Sequence, residues 1–320
     1  WHRSHISVDR STSNCMMSKT LTILIGNARG GEETWQTMYR HLLAPYNSDL
    51  ALCFGATDSK DSSLYRRAKY DWEIPELENW REYYEQIFPE GWDRVFVHQK
   101  NNGPGGGIDA CTGSGAVIFA FRDFILREKK EILKEYDRII LTRSDHYYLV
   151  PHPILPLGFL HIVEGENYGG ITDRHHIFDS NMMENALGIC DHLCSPENFK
   201  HLLRVKNLNP ERALFEFFRS SGIDAKINRF KRVQFTVAEV QDSTRWKVAQ
   251  GAFMESKSPT LMLKYESEYI RAKENLSWLF WLEWRFKEFR SNPIKFFWAR
   301  LKRRLKALLA KHKLDLSSNF

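Results

Sequence analysis

Asp137-Arg138-Ile139-Ile140-Leu141-Thr142-Arg143-Ser144-Asp145-His146-Tyr147-Tyr148 is the stretch on which the fold turns. A charged helix end leads into a short apolar run, which stops on Arg143, Ser144 and Asp145. An apolar strand with a carboxylate at its C-terminal tip is how open α/β sheets present ligand-binding groups. Aspartate at such a tip can hold Mg²⁺ or Mn²⁺ against a diphosphate, because hard oxygen ligands suit those ions. The plainer reading is a strand that ends in a solvated turn. The motif has one carboxylate where the usual metal-binding DxD has two, so a bound ion would keep several waters.

Upstream of this stretch, strand and helix patterns alternate. Residues 20–25 form a β-rich apolar run that ends on Gly26-Asn27-Ala28-Arg29-Gly30-Gly31. Helical spacing follows over 32–43, then a strand at 49–54, a polar loop at 56–72 and an aromatic helix at 76–87. A short strand is expected at 94–98. Asn101-Asn102-Gly103-Pro104-Gly105-Gly106-Gly107 breaks regular structure, and a long helix is expected at 114–136. Strands separated by helices indicate an α/β fold with a largely parallel sheet and helices on its faces. Downstream, Pro151, Pro153 and Pro156 imply loop or edge structure. Helices are expected at 179–192 and 210–221, the second capped by Asn209, opened by Pro210 and stopped by Gly222. One or two strands fit 226–237.

Four constellations carry candidate chemistry. After the first strand, backbone N–H groups and Arg29 favour an anion, although the glycines match neither GxGxxG nor Walker A. The second is Thr142-Arg143-Ser144-Asp145, where Arg143 can also simply pair with Asp145. The third is Glu164-Gly165-Glu166-Asn167-Tyr168-Gly169-Gly170-Ile171-Thr172-Asp173-Arg174-His175-His176. Its glycines permit close backbone approach to a ligand, and a carboxylate beside an acceptor hydroxyl can act as general base. His175 and His176 point to opposite sides in extended chain, so they do not share a metal. The fourth, Ser243-Thr244-Arg245-Trp246, reads as packing on its own. No GxSxG elbow is present, which leaves a hydrolase triad without support.

The chain has 320 residues, 42% hydrophobic and 27% charged, enough for a large buried core and unlike a disordered protein. Five cysteines form no CxxC pair and no zinc quartet with histidine, which favours reduced thiols in a cytoplasmic compartment. Residues 1–17 read as a disordered or non-native leader, since Met16 and Met17 directly precede the first strand.

In order, these pieces resemble a family of nucleotide-diphospho-sugar glycosyltransferases with a GT-A-like, Rossmann-like fold, found in bacterial surface-polysaccharide clusters and large DNA viruses. The resemblance rests on Ile23-Leu24-Ile25-Gly26-Asn27-Ala28-Arg29, on 136–145 and, most strongly, on 164–175. It fades through Leu208-Asn209-Pro210-Glu211 and Thr244-Arg245-Trp246 and covers roughly 18–273. It implies transfer of a sugar from a nucleoside-diphosphate donor to a hydroxyl of a glycan or lipid-linked acceptor. Carried over, it implies Gly26, Arg29 and Arg143 at the nucleotide or diphosphate, and Asp145 at the diphosphate and its Mn²⁺ or Mg²⁺, if an ion is used. Tyr168, Gly169 and Gly170 would line the sugar pocket, and Arg245 would neutralise the leaving diphosphate. Asp173 is the implied base, with Glu166 and Glu211 as rivals.

The C-terminal segment departs from the rest. In 285–313, eleven basic residues against Glu288 give a net charge of +10, which leaves the remainder of the +6 chain at −4. Apolar residues at spacings of three and four make 274–320 an amphipathic basic helical tail, hinged near Pro293. Its 294–313 part suits an anionic membrane surface, which would place the protein peripherally on a cytoplasmic face. Two other readings compete. One is a sulfotransferase-like transferase that uses 26–31 for a nucleotide phosphate. The other is a nucleic-acid-binding protein that uses the tail, weakened by the acidic body and the lack of a recognition motif.

Overall fold

A computed structural model describes residues 18–57, 60–98, 102–240, 253 and 255–276. Residues 1–17, expected to be a leader, Arg245, and 294–313, expected to meet a membrane surface, lie outside the described residues. Among the described residues, no helix is long and apolar enough to cross a membrane.

The strands in chain order are β1 (Thr20–Gly26), β2 (Asp49–Gly55), β3 (Tyr70–Ile74), β4 (Arg138–Thr142), β5 (His146–Tyr148), β6 (Leu160–Val163), β7 (His176–Asp179), β8 (Ile227–Phe230), β9 (Gln234–Glu239) and β10 (Leu261–Leu263). Seven of them form one sheet in the order β3-β2-β1-β4-β7-β6-β8. All neighbouring pairs are parallel except those made by β7, which runs against both β4 and β6. A second sheet, β10-β9-β5, is antiparallel. The chain is therefore α/β, with a mostly parallel central sheet flanked by helices.

Period-two side-chain alternation explains the layering. In β1, Leu21, Ile23 and Ile25 enter one core and Leu24 the other; in β4, Ile139 and Leu141 share the first core and Ile140 the second. Helix Gly115–Glu128 closes the first face with Ala116, Phe119 and Ala120. Helix Gly31–Met38 and the π-turn Tyr39–Leu43 close the second with Trp35, Met38, Leu42 and Leu43. A strand covered on both faces must be apolar throughout, which is why β4 reads as a continuous run.

Several local expectations are corrected. Residues 94–98 do not form a strand: Trp92–Phe96 is a helix after Gly91, and Trp92, Val95 and Phe96 bury one side of it at helical spacing. Residues 56–72 are not all loop. They contain helix Ser63–Arg67 and lead into β3, an edge strand that buries Trp72 and Ile74 and exposes Asp71 and Glu73. The long 114–136 helix divides at Lys129 into Gly115–Glu128 and Lys130–Leu133. The expected 179–192 helix is a 3₁₀ turn, Ser180–Met182, and two short helices, Met183–Leu187 and Ile189–Cys194.

Behind the sheet ends lies a group of buried histidines. The Thr142 hydroxyl lies 3.0 Å from His146 Nδ1 and 2.8 Å from His175 Nδ1, and His152 stacks on His175. His176 points the other way, accepting from Arg122 at Nδ1 and donating from Nε2 to the Thr172 carbonyl. Burial pulls His146 down to about 3 and His152 to about 4, and pulls His175 and His176 well below the usual imidazole value. Below pH 6.5 the unfolded chain takes up protons that the folded chain refuses. Stability is therefore present above that pH and is lost on acidification, by about 1.4 kcal/mol per pH unit for each histidine. Thermal melts should fall steeply from about pH 6 to 4.5. A melting temperature unchanged across the acid range would show that these rings are not held neutral.

Candidate active site

β1 and β4 run side by side with Leu24 opposite Thr142, so the segments after them leave the sheet together. The strand order also reverses here, because β2 and β3 extend to one side of β1 and β4 begins the other. Ligands of open α/β sheets bind outside the carboxyl ends of the strands at such a switch point. The two turns are stitched together. Ser144 Oγ donates to the Asn27 carbonyl at 2.6 Å and accepts the Arg29 N–H at 3.0 Å, while Trp35 Nε1 donates to the Arg29 carbonyl at 2.8 Å. Gly30 permits the close approach: its φ is +83°, and a Cβ there would meet the Asp145 Cα at 3.1 Å.

A cleft of about 550 Å³ opens above these turns, with Gly26, Arg29, Arg143 and Asp145 at its floor. Asp145 is 2% exposed and does not face the cleft as a free carboxylate. Arg143 grips both of its oxygens, Nε to Oδ1 at 2.9 Å and Nη2 to Oδ2 at 2.7 Å. Lys264 Nζ stands 3.7 Å from Oδ2. Burial pushes the Asp145 carboxyl up, but Arg143 and Lys264 outweigh it and hold the carboxyl far below the usual range. Burial brings the Lys264 ammonium down to about 8, against the opposing pull of Asp145.

Lys264 is a cleft residue that sequence reasoning missed. It follows the three-residue β10, and its position depends on strand pairing. β9 joins β10 to β5, with Val237 N–H donating to the Asp145 carbonyl and Lys264 N–H to that of Thr236. The available signal was an apolar run, Leu261-Met262-Leu263, that ends on a cation and an aromatic ring. This is the same pattern as the end of β4.

The facing wall comes from the glycine loop and the start of helix Pro210–Ser220. Asn209 caps that helix, its Oδ1 accepting the Arg212 N–H at 2.8 Å, and its Nδ2 donates to the Tyr168 carbonyl at 2.9 Å. The Ile171 N–H donates to the Glu211 carbonyl at 2.9 Å. Asp173, Arg174 and Glu211 line the cleft together, with Tyr168 half-exposed at its mouth. Arg174 is committed elsewhere, paired with the buried Glu268. Burial, followed by the charge on Asp173, raises the Glu211 carboxyl to about 7. The remaining wall is apolar and aromatic, with Ile74, Trp80 and Phe121 and an acid at Glu76.

The structure does not bring all the sequence candidates together. Glu166 is absent from the cleft lining. It accepts from Ser267 Oγ at 3.1 Å and lies 3.8 Å from Arg271, on helix Glu266–Glu274. Gly169 and Gly170 do not line the cleft either; Gly169 faces the Arg212 guanidinium. A Cβ on Gly170 would collide with the Glu211 carbonyl and the Arg212 nitrogen, so this glycine seats the loop on the helix that carries Glu211. Gly170→Ala is therefore expected to push that backbone contact apart, costing about 1–3 kcal/mol in stability and lowering turnover through displacement of Glu211. Melting curves and steady-state kinetics would check both, and a variant normal in each would remove the seating role.

Among the described residues, no three His, Cys, Asp or Glu side chains cluster so as to hold a metal ion. No family model matches the chain, and no curated protein does. Among solved structures, it is similar to the apo form of mouse xyloside xylosyltransferase 1. That likeness has 12% sequence identity over 67% of this chain and 85% of the other, with a TM-score of 0.35.

Proposed function

We propose that the protein is a glycosyltransferase, which moves a sugar from a nucleoside-diphosphate donor to an acceptor hydroxyl. The observation that carries this reading is the division of one cleft into two chemistries. Cations gather on the floor, where Arg143 and Lys264 pair with Asp145 and Arg29 lines the same cleft, and two carboxyls, Glu211 and Asp173, stand together elsewhere in its lining. An anionic leaving group needs the first, and a hydroxyl nucleophile needs the second. The apolar wall with Trp80 and Phe121 offers a face for a nucleobase.

Within this reading Glu211 is the general base. A base works best when its pKa lies near the operating pH, and Glu211 sits at about 7. Burial sets that value first and the Asp173 charge second, and Asp173 holds the acceptor. A base that acts in a single displacement inverts the anomeric centre. The test is a panel of UDP- and GDP-sugars with simple glycan acceptors, with the anomeric configuration of the product read by NMR. Inverted product supports the reading; donor hydrolysis or transfer with retention would remove Glu211 from the role of base.

A further inference from the structure

We infer that the donor diphosphate is clamped by Lys264 together with Arg29 and Arg143, in place of a resident divalent cation. The inference rests on the glycosyltransferase reading and names how its leaving group is held. Metal-dependent relatives of such a fold would use the strand-end aspartate as the ion's ligand, and the residues present here do not fit that task. Both Asp145 oxygens are bonded by the Arg143 fork, and the carboxylate is 2% exposed. An ion would have to approach one of those oxygens to within about 2.0–2.5 Å. It would then sit beside a guanidinium and an ammonium, whose like charges repel it. Asp145 thus acts as the counter-charge that holds two cations at the cleft floor.

Lys264 is the cation with capacity to spare. Its side chain is nearly buried but lines the cleft, and its ammonium has the 3.7 Å ion pair with Asp145 and lies 5.8 Å from the centre of the Tyr265 ring, with no hydrogen bond among the described residues. Arg29 lines the same floor, with its main chain fixed on both sides by Ser144 and Trp35. Arg29, Arg143 and Lys264 outnumber the two acids that act on them, Asp145 and Asp173, which leaves positive charge for a diphosphate. Arg174 adds nothing to this balance, because Glu268 cancels it. The Arg143 N–H groups not spent on Asp145, held in place by the fork, and the ammonium would meet phosphate oxygens without a metal to bridge them.

The test is calorimetric binding of UDP, GDP and their nucleosides to the full chain, in EDTA and in Mn²⁺. Wild type should bind one nucleoside diphosphate equally in both. Lys264→Met should weaken that diphosphate by about tenfold or more, the loss of one charge-assisted contact, and leave the nucleoside nearly unchanged. Lys264→Arg should restore most of the affinity, which separates lost charge from lost folding. Diphosphate binding that vanishes in EDTA and returns with Mn²⁺ would overturn the clamp and leave the nucleotide site standing. An unchanged affinity in Lys264→Met would also overturn it. If neither nucleoside diphosphate binds in either condition, the glycosyltransferase reading fails and the clamp fails with it.

Discussion

Glu211→Gln is expected to lower kcat by about 10²–10⁴-fold, the range that a positioned general base contributes. Wild-type kcat/KM should rise with pH and level off above about 7, because burial and the Asp173 charge place the Glu211 carboxyl there and only its ionised form accepts a proton. In the variant the residual rate should lose that limb. Donor KM should move little, since the proposed diphosphate clamp lies on the cleft floor and does not include Glu211. A variant that keeps the limb would assign the titration to another group. One that loses donor affinity with turnover intact would make Glu211 a binding residue.

The same substitution makes a prediction about stability, and the sign matters. The folded carboxyl is raised, so the folded state holds a proton that the unfolded chain has already lost. Above the ordinary glutamate value, Glu211 therefore works against folding, most fully above pH 7. Its place at the N-terminus of helix Pro210–Ser220 would by itself favour the charged form. Burial and Asp173 override that preference. Glu211→Gln should accordingly melt higher than wild type at pH 8 and show less advantage at pH 5, as expected where activity is kept at a cost to stability.

What was legible in the sequence follows the range of the interactions involved. β4 and its charged tip could be read because a doubly covered strand must be apolar and its end is marked by three polar residues. Helix Pro210–Ser220 could be read because the Asn209 cap and Pro210 act within a few residues. The strand expected at 94–98 is replaced by helix Trp92–Phe96, because three apolar residues, Val95 to Val97, are too few to distinguish the two periods. Glu166 looked like a rival base from its place among glycines. Positive φ values of 50° at Glu166 and 45° at Tyr168 instead turn the loop so that Glu166 meets helix Glu266–Glu274. Lys264 reaches Asp145 only through the pairing of β5, β9 and β10, which no local pattern encodes.

Asp145→Ala is expected to damage stability and activity together. A simple metal ligand at a strand tip could be truncated with the fold intact. Here the carboxylate is the acid of a nearly buried pair, and removing one partner leaves Arg143 and Lys264 facing each other without compensation. Losses of this kind run to about 3–5 kcal/mol. The lower end applies, because the Arg143 side chain is one quarter exposed to the cleft and can take up water. At about 2–4 °C per kcal/mol for a domain of this size, the melting temperature should fall by roughly 6–12 °C. Turnover should fall as well, because the fork that orients Arg143 is gone. Added inorganic pyrophosphate should then stabilise the variant more than wild type, since the anion takes the carboxylate's place between two cations. A variant that melts like wild type would show that Asp145 is not the counter-charge of this floor, and would reopen its assignment to a metal ion.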